Sequence, residues 1–306
     1  LTMPNGFDKY YWYEIAERAK ALDMDYMANF MLSDVWMNAV SAYTPIDWMR
    51  WNKEKNIYEN QTLDEMKTSM YNYIYDFLDG LKQRDITPIA VKIGNEEDGG
   101  ICWNTGKYNK DSHIISEGFT ELINSGYDAA HAVFPDAPAF LHTYQGYNTS
   151  YSKKWFNAMD TAGVKYDGRA YSLYGMSPTH NILAMLNQDN SIAPYQDTMH
   201  VETGIQGTYH EADNVGNDTK YVQLDYWSAT PNGQYNYLLE YMQGLKDIPN
   251  THSVMRGVFW WAAEWLEVEG AGWIVYDGCS VGGRTLVNNG DTEIHEMGST
   301  ADGKPG

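Results

Sequence analysis

Residues 86–100 read ITPIAVKIGNEEDGG, a short apolar run followed at once by a cluster of polar and acidic residues. The run over 86–93 has the length and the Val and Ile content of a buried β-strand. Asn95, Glu96 and two further carboxylates follow at the point where that strand should end. In a barrel of parallel strands, ligand-binding and catalytic residues gather at the carboxyl ends of the strands. The stretch therefore predicts one strand of such a sheet, with ligand-binding or catalytic residues at its carboxyl end.

Short apolar strands alternate with amphipathic helices along most of the chain, a pattern typical of βα units and a parallel sheet. The predicted strands are 24–30, 87–93, 139–142, 168–173, 198–202 and 254–261. The predicted helices are 11–21, 63–83, 113–133, 153–162, 180–187 and 235–246. A long polar loop is predicted over 205–232, and a Gly-rich irregular segment follows Trp265.

Six parallel strands fit either an open doubly wound sheet or most of a (β/α)8 TIM barrel. No G-x-G-x-x-G follows any predicted strand, so a dinucleotide-binding sheet lacks support. The chain has 306 residues, which suits one barrel domain spanning 1–306. We therefore predict the α/β class, and of the two architectures the (β/α)8 TIM barrel is the better supported.

The composition narrows the class of ligand. A net charge of −20 disfavours nucleic acid and anionic membranes, which bind basic surfaces. No apolar run reaches about 18 residues, so no membrane-spanning helix is predicted. The 25 Tyr and 11 Trp far outnumber the 8 Phe. Core packing is one reading of this excess; a wet cleft for hydroxyl-rich ligands such as sugars is the other.

Two glutamates stand out because each ends a predicted strand. Glu96 and Glu202 lie three strands apart, and across a barrel mouth such positions can face each other. Two facing carboxyls perform glycoside hydrolysis. One stays protonated to donate to the leaving oxygen, and the other is ionised to attack the anomeric carbon or to activate water. Glu97 and Asp98 are interpreted as solvated loop residues.

Evidence for a metal or cofactor site is weak. One cluster in the predicted polar loop has no established ligand spacing: His210, Glu211 and Asp213. Asp277 and Asp291 with nearby carbonyls suggest a structural calcium site, but no EF-hand pattern is present. We predict that no cofactor is required, and the sequence leaves open whether Cys102 pairs with Cys279.

Several segments resemble one known family in the same order along the chain. Residues 91–106, VKIGNEEDGGICWNTG, resemble the V-Q-I-G-N-E-x-x-x-G-x-x-W-P-x-G segment of glycoside hydrolase family 53, the endo-β-1,4-galactanases. Residues 30–36 are similar to its F-H-Y-S-D-x-W, and 167–174 to its strand ending S-Y-Y-P. Residues 201–203 are similar to its A-E-T, and 257–265 to its G-V-F-Y-W-E-P-A-W.

The resemblance implies a retaining enzyme that cuts the β-1,4-galactan side chains of pectin. Glu96 would be the general acid/base and Glu202 the nucleophile, with the carboxyls about 5–5.5 Å apart. Asn95 would hold the sugar 2-hydroxyl, and Tyr174 would lie near the nucleophile. The residues implied to line the substrate cleft are Ser33, Asp34, Trp36, Trp103, His142, Trp261 and Trp265. A monomer at the cell surface or outside the cell is implied, with no nucleic-acid or membrane partner.

The sequence also departs from the family pattern. The family's His, Tyr, Pro and last-strand Glu are replaced by Met31, Leu32, Gly175 and Ala262. These changes leave two alternatives open: another retaining β-glycosidase of the same barrel clan, acting for example on mannan, glucan or arabinogalactan, and a carbohydrate-binding relative that has lost turnover. The first two βα units of the barrel are absent from this sequence, so we expect it to be N-terminally incomplete.

Overall fold

A computed structural model describes residues 8–174, 196–204, 230–247, 253–261, 280–281, 284–288 and 294–297. The helices are α1 (Lys9–Ala21), α2 (Leu63–Lys82), α3 (Glu117–Val133), α4 (Thr149–Ala162) and α5 (Pro231–Lys246). Short 3-10 helices cover Ile46–Trp48 and Glu97–Gly99. No helix within these ranges is both long enough and apolar enough to cross a bilayer.

Within the described residues, the strands comprise the six predicted from the sequence and eight further ones. In chain order they are β1 (Met27–Phe30), β2 (Met49–Asn52), β3 (Ile57–Asn60), β4 (Ala90–Ile93), β5 (Gly100–Ile101), β6 (Gly106–Asn109), β7 (Ile114–Ile115), β8 (Ala139–Thr143), β9 (Gly168–Tyr174), β10 (Gln196–Gly204), β11 (Ser253–Trp260), β12 (Ser280–Val281), β13 (Arg284–Asn288) and β14 (Ile294–Met297). The predicted helix 180–187 lies outside the described residues.

Three predictions are wrong in detail. The helix predicted from residue 113 begins at Glu117, because Ile114–Ile115 pairs with β6 and Ser116 caps the helix by accepting a hydrogen bond from Phe119 N. The predicted polar loop 205–232 ends earlier, because α5 begins at Pro231 after the capping residue Thr230. The segment predicted to be irregular contains β12, β13 and β14.

The chain divides into two compact units. The first consists of Leu1–Leu141, Asn157–Asp167 and Tyr276–Gly306, and the second of His142–Phe156 and Gly168–Val275. The boundary falls inside β8, so this strand contributes residues to both units.

The first unit contains the parallel strands β1, β4 and the start of β8. Met27 is paired with Ala90, and Val91 with Ala139. All four residues of β4 are buried, which explains why three of them, Ala90, Val91 and Ile93, are apolar. A separate antiparallel sheet joins the β2–β3 hairpin to β14 through Tyr58 and Ile294.

Helix α2 covers this unit with an apolar stripe. Thr62 and Glu65 form a capping box that starts the helix. Met66 and Met70 belong to this stripe and are fully buried. Phe77, about two turns after Met70, meets Phe30 of β1 edge to face at 5.5 Å between ring centroids. The apolar stripe is therefore the face of α2 that packs on the strands.

The second unit contains the parallel strands β9, β10 and β11, with α5 packed on β10. Asp197 of β10 pairs with Gly168 of β9 and with Val254 of β11. The register shifts between His200 and Glu202, where β10 has an extra residue relative to β9. This β-bulge lies at the carboxyl end of β10, where the sequence predicted an active residue.

Candidate active site

Glu96 stands directly after β4 in a left-handed backbone conformation, with φ 49° and ψ 60°. Gly94 just before it has φ 95°. A Cβ on Gly94 would lie 2.5 Å from Glu97 Oε1, so only glycine fits there. A residue other than glycine with positive φ is uncommon, and such conformations cluster at functional sites. The backbone therefore turns sharply at the strand end and sets the direction of the Glu96 side chain.

The same turn buries the two acidic residues that follow. Glu97 is fully buried and Asp98 is 2% exposed. The prediction that they are solvated loop residues is therefore wrong. The reason is the tight 3-10 turn over Glu97–Gly99, which tucks both side chains under the loop instead of extending them into water.

Asn95 is buried, and both ends of its amide are hydrogen-bonded. Nδ2 donates to the carbonyl of Met37 at 2.9 Å, and Oδ1 accepts from Lys92 Nζ at 2.7 Å. Each amide end can make a second hydrogen bond, so the predicted contact with a sugar hydroxyl stays compatible with this geometry. The lysine fixes which way the amide points.

Lys92 is a site residue that the sequence analysis missed. It is 2% exposed, although lysine is almost never buried without a specific partner. Its signal in the sequence was a single charge inside an otherwise apolar strand that is buried on both faces.

Trp103, on the loop after Glu96, is held from several sides. Its Nε1 donates to Gly99 O at 2.8 Å, and its carbonyl accepts from Thr44 Oγ1 at 2.9 Å. Asn60 Nδ2, at the end of the β2–β3 hairpin, donates to Thr105 Oγ1 at 2.8 Å and to Trp103 O at 3.2 Å. The indole is partly exposed and therefore offers a fixed apolar face.

The three residues predicted after β1 have different environments. Asp34 Oδ2 accepts from Ile46 N at 2.6 Å, so this carboxyl secures the chain leading to β2. Burial raises the pKa of Asp34. Ser33 Oγ accepts from Val35 N at 3.4 Å, and Trp36 is 45% exposed. Among these three, Trp36 presents the largest open surface for a sugar ring.

The second unit holds the other predicted catalytic carboxyl. Tyr174, the last residue of β9, donates a hydrogen bond from its hydroxyl to Glu202 Oε2 at 2.7 Å. The Trp261 ring stands edge-on to Tyr174, with centroids 6.2 Å apart and an interplanar angle of 89°. Trp261 N donates to Thr203 O at 2.9 Å, which ties the end of β11 to β10. The structure therefore brings these three predicted residues together.

Other predicted residues are placed differently or lie outside the described ranges. His142 is fully buried, and its Nε2 is hydrogen-bonded to Ser172 Oγ at 2.8 Å. Cys102 is a buried free thiol. The following lie outside the described residues: Gly175, His210, Glu211, Asp213, Ala262, Trp265, Asp277, Cys279 and Asp291.

Glycoside hydrolases act with a pair of carboxyl groups. Here Glu96 lies on a constrained turn after β4, and Glu202 of β10 accepts a hydrogen bond from Tyr174. These two glutamates fit that class of enzyme. Residues 5–298 match the model of glycosyl hydrolase family 53, and the chain belongs to that family. The resemblance inferred from the sequence motifs is thereby confirmed.

Known relatives agree with this assignment. The chain is 25% identical over 265 residues to an arabinogalactan endo-β-1,4-galactanase of Cellvibrio japonicus, covering 82% of this chain. The chain spans about two thirds of the length of the curated relatives that it matches. The matched part covers 67% of a Niallia circulans protein and 64% of the Cellvibrio japonicus galactanase.

Solved structures show the fold. The family 53 catalytic domain of Ignisphaera aggregans superimposes with a TM-score of 0.69 at 20% identity, over 89% of this chain and 71% of that one. A fungal β-1,4-galactanase gives a TM-score of 0.65 at 19% identity, over 85% of this chain and 74% of that one. The α/β TIM-barrel fold predicted from the alternation of strands and helices is confirmed.

Proposed function

We propose that this chain is a retaining endo-β-1,4-galactanase in which Glu202 is the nucleophile and Glu96 the general acid/base. Its substrate is β-1,4-galactan, including the galactan side chains of pectin. The relatives carry galactanase names, which supports this substrate class over the other polysaccharides of the barrel clan. We propose further that the protein acts as a monomer outside the cell, or on its surface, without a cofactor.

The hydrogen bond from Tyr174 to Glu202 carries the assignment of the nucleophile. A phenol hydroxyl that donates to a carboxylate oxygen favours the ionised form of that carboxyl. An ionised carboxylate is the form that attacks the anomeric carbon. The hydroxyl also fixes one oxygen of Glu202, so the other is directed for attack.

The turn at Glu96 supports the role of acid/base. A general acid must be placed within reach of the glycosidic oxygen and must then return to accept a proton from water. The left-handed backbone and the buried Glu97–Gly99 turn give the Glu96 side chain a rigid base. Retention predicts a separation of about 5–5.5 Å between the carboxyls of Glu96 and Glu202.

Sugar binding is assigned to the fixed aromatic faces and to the buried amide. Trp36, Trp103 and Trp261 would stack on galactose rings, whose axial hydrogens present apolar patches. Asn95, oriented by Lys92, would donate its remaining amide hydrogen to the 2-hydroxyl. Hydrogen bonds to this hydroxyl strengthen in the transition state and contribute to rate.

Product analysis tests the proposed function. The protein is incubated with linear β-1,4-galactan, and separately with mannan, glucan and arabinan, and the products are separated by size. Short galacto-oligosaccharides from galactan alone are the expected result. NMR of the first product should show the β-anomer before mutarotation, as retention requires.

The same experiment separates the alternatives. Cleavage of mannan or glucan instead of galactan would contradict the assignment of galactan as the substrate. Met31 and Ala262 would then be candidates for the residues that determine specificity. Binding of galactan without any product would favour a carbohydrate-binding relative. Release of the α-anomer first would contradict the retaining mechanism.

Replacing Tyr174 with Phe should lower kcat on galactan by about 10²-fold, because one hydrogen bond to the reacting carboxylate is lost. KM should change by no more than about threefold, since the ring and its contact with Trp261 remain. Steady-state kinetics on galactan provide the measurement. Tyr235→Phe serves as the matched control, because Tyr235 is 64% exposed on α5. A kcat for Tyr174→Phe equal to that of the control would argue against the role of Tyr174.

A further inference from the structure

The β-bulge in β10 decides which way Glu202 points. His200 is paired with Tyr171 of β9, and Glu202 is paired with Ser172. Without the extra residue, Glu202 would be paired with Leu173 instead. The pairing with β11 shows the same extra residue between His200 and Thr203.

Side-chain alternation makes this one-residue shift decisive. Neighbouring residues of a strand face opposite sides of the sheet, so Ser172 and Tyr174 share one side and Tyr171 and Leu173 the other. Pairing opposite Ser172 places Glu202 on the side where Tyr174 reaches it. A regular strand would turn Glu202 to the side of Leu173, away from that tyrosine. Bulges near active sites re-aim side chains in this way.

The residues on each side of the bulge are held by helix α5. His200 is fully buried, and its Nδ1 is hydrogen-bonded to the hydroxyl of Tyr241. The two rings also stack, with centroids 5.5 Å apart and planes 29° apart. Thr203 donates from Oγ1 to Leu173 O at 2.8 Å. The same oxygen lies 3.5 Å from the hydroxyl of Tyr237.

Tyr237 and Tyr241 lie one helical turn apart, so they project from the same face of α5. Both are buried, at 1% and 0% exposure, and their ring centroids are 5.7 Å apart. Each therefore meets one of the two residues that flank the bulge. Burial lowers the pKa of His200 to about 3, so its ring is neutral at neutral and mildly acidic pH. The contact to Tyr241 is then a neutral hydrogen bond whose geometry does not change with pH.

We propose that the tyrosine pair of α5 locks the β-bulge through His200 and Thr203 and thereby sets the direction of Glu202. His200, Thr203, Tyr237 and Tyr241 are proposed as positioning residues, which act on Glu202 through the strand that carries it. The proposal rests on the proposed role of Glu202 as nucleophile.

Two substitutions at His200 test this proposal. His200→Leu fills the site but removes the group that bonds to Tyr241, and we expect kcat on galactan to fall about 10- to 100-fold. KM should stay within about threefold, because the substrate contacts are elsewhere. His200→Gln keeps a polar atom that can reach the tyrosine hydroxyl, and it should recover most of kcat. A purely structural role would not produce this rescue with an unchanged KM.

Leu245→Ala is the control for stability. Leu245 is buried one turn beyond Tyr241 in the same helix and has no polar group to bond to the bulge, so its truncation should lower the melting temperature and leave kcat unchanged. A kcat for His200→Leu within about twofold of the wild type would overturn the proposal. An equal loss of kcat in Leu245→Ala would also overturn it, because the effect would then follow stability alone.

A structure determination separates this proposal from the proposed function. Tyr241→Phe keeps the buried ring and removes only the hydroxyl, so it is the variant to use if His200→Leu does not fold. In its crystal structure we expect Glu202 to leave its position opposite Ser172 and to lose the bond from Tyr174. Preservation of both features would overturn the proposal, even if the wild type cleaved no polysaccharide and the proposed function had failed.

Discussion

Replacing Glu202 with Gln is expected to reduce kcat on β-1,4-galactan on the order of 10⁵-fold. The amide has nearly the same shape as the carboxylate but cannot attack the anomeric carbon. The hydroxyl of Tyr174 still finds an acceptor in the amide oxygen, so the local geometry should persist. Galacto-oligosaccharide affinity, measured by isothermal titration calorimetry, should therefore stay within about threefold of the wild type.

Glu240→Gln is the matched control for this loss. It makes the same chemical change at an exposed position of α5, so its kcat should equal that of the wild type. The nucleophile assignment would be refuted by a Glu202→Gln enzyme that retains more than about one hundredth of the wild-type kcat. A 2-fluoro-galactoside with a good leaving group adds a direct readout, because it should label the wild type at Glu202 and fail to label the variant.

Replacing Glu96 with Ala should have an effect that depends on the leaving group. For galactan, whose leaving group is a sugar hydroxyl, we expect kcat to fall by about 10³-fold, because protonation of the glycosidic oxygen is lost. For an aryl β-galactobioside with a dinitrophenyl leaving group, the first step needs no acid. Formation of the glycosyl-enzyme should then remain within about tenfold of the wild-type rate.

Added azide distinguishes Glu96 as acid/base from a residue that only holds the turn. Azide attacks the glycosyl-enzyme without base assistance, so it should raise kcat of the Ala variant on the aryl substrate and yield β-galactosyl azide. Glu117→Gln, an exposed change at the start of α3, should show neither the loss nor the rescue. Loss of activity on both substrates without azide rescue would contradict the acid/base role.

The sequence predicted parallel strands such as β4 and β8 because they are buried along their whole length and consist mostly of apolar residues. It also placed Glu96 and Glu202 at strand ends, since the chemistry of such a barrel collects there. The β2–β3 hairpin was missed because its strands have four residues each and mix polar with aromatic side chains. Short edge elements of this kind are specified by tertiary contacts, such as those of Asn60, and not by a local period.

Two features of the site could not be read from composition or period. Glu97 and Asp98 look like loop residues in the sequence, and their burial follows from the left-handed residue Glu96 and the 3-10 turn Glu97–Gly99 that comes after it. The β-bulge after His200 cannot be recognised in the sequence of β10 itself, because a one-residue register shift depends on how β10 pairs with both β9 and β11. Periodicity predicts which residues form a strand, but it does not predict which of its side chains faces the substrate once the register has slipped.

The anchoring of the Trp103 loop by Asn60 has a consequence for how the protein should be produced. Asn60, Gln61 and Thr62 form an acceptor sequence for N-linked glycans, and the atom that would carry the glycan is the same Nδ2 that bonds to Thr105 Oγ1 and Trp103 O. The hydroxyl of Thr62 is also engaged, with Glu65 at the start of α2. Secretion from yeast would attach a bulky glycan to Asn60 Nδ2 and disturb its bonds to the Trp103 loop. A bacterial host would leave Asn60 unglycosylated, so that its amide can make these bonds.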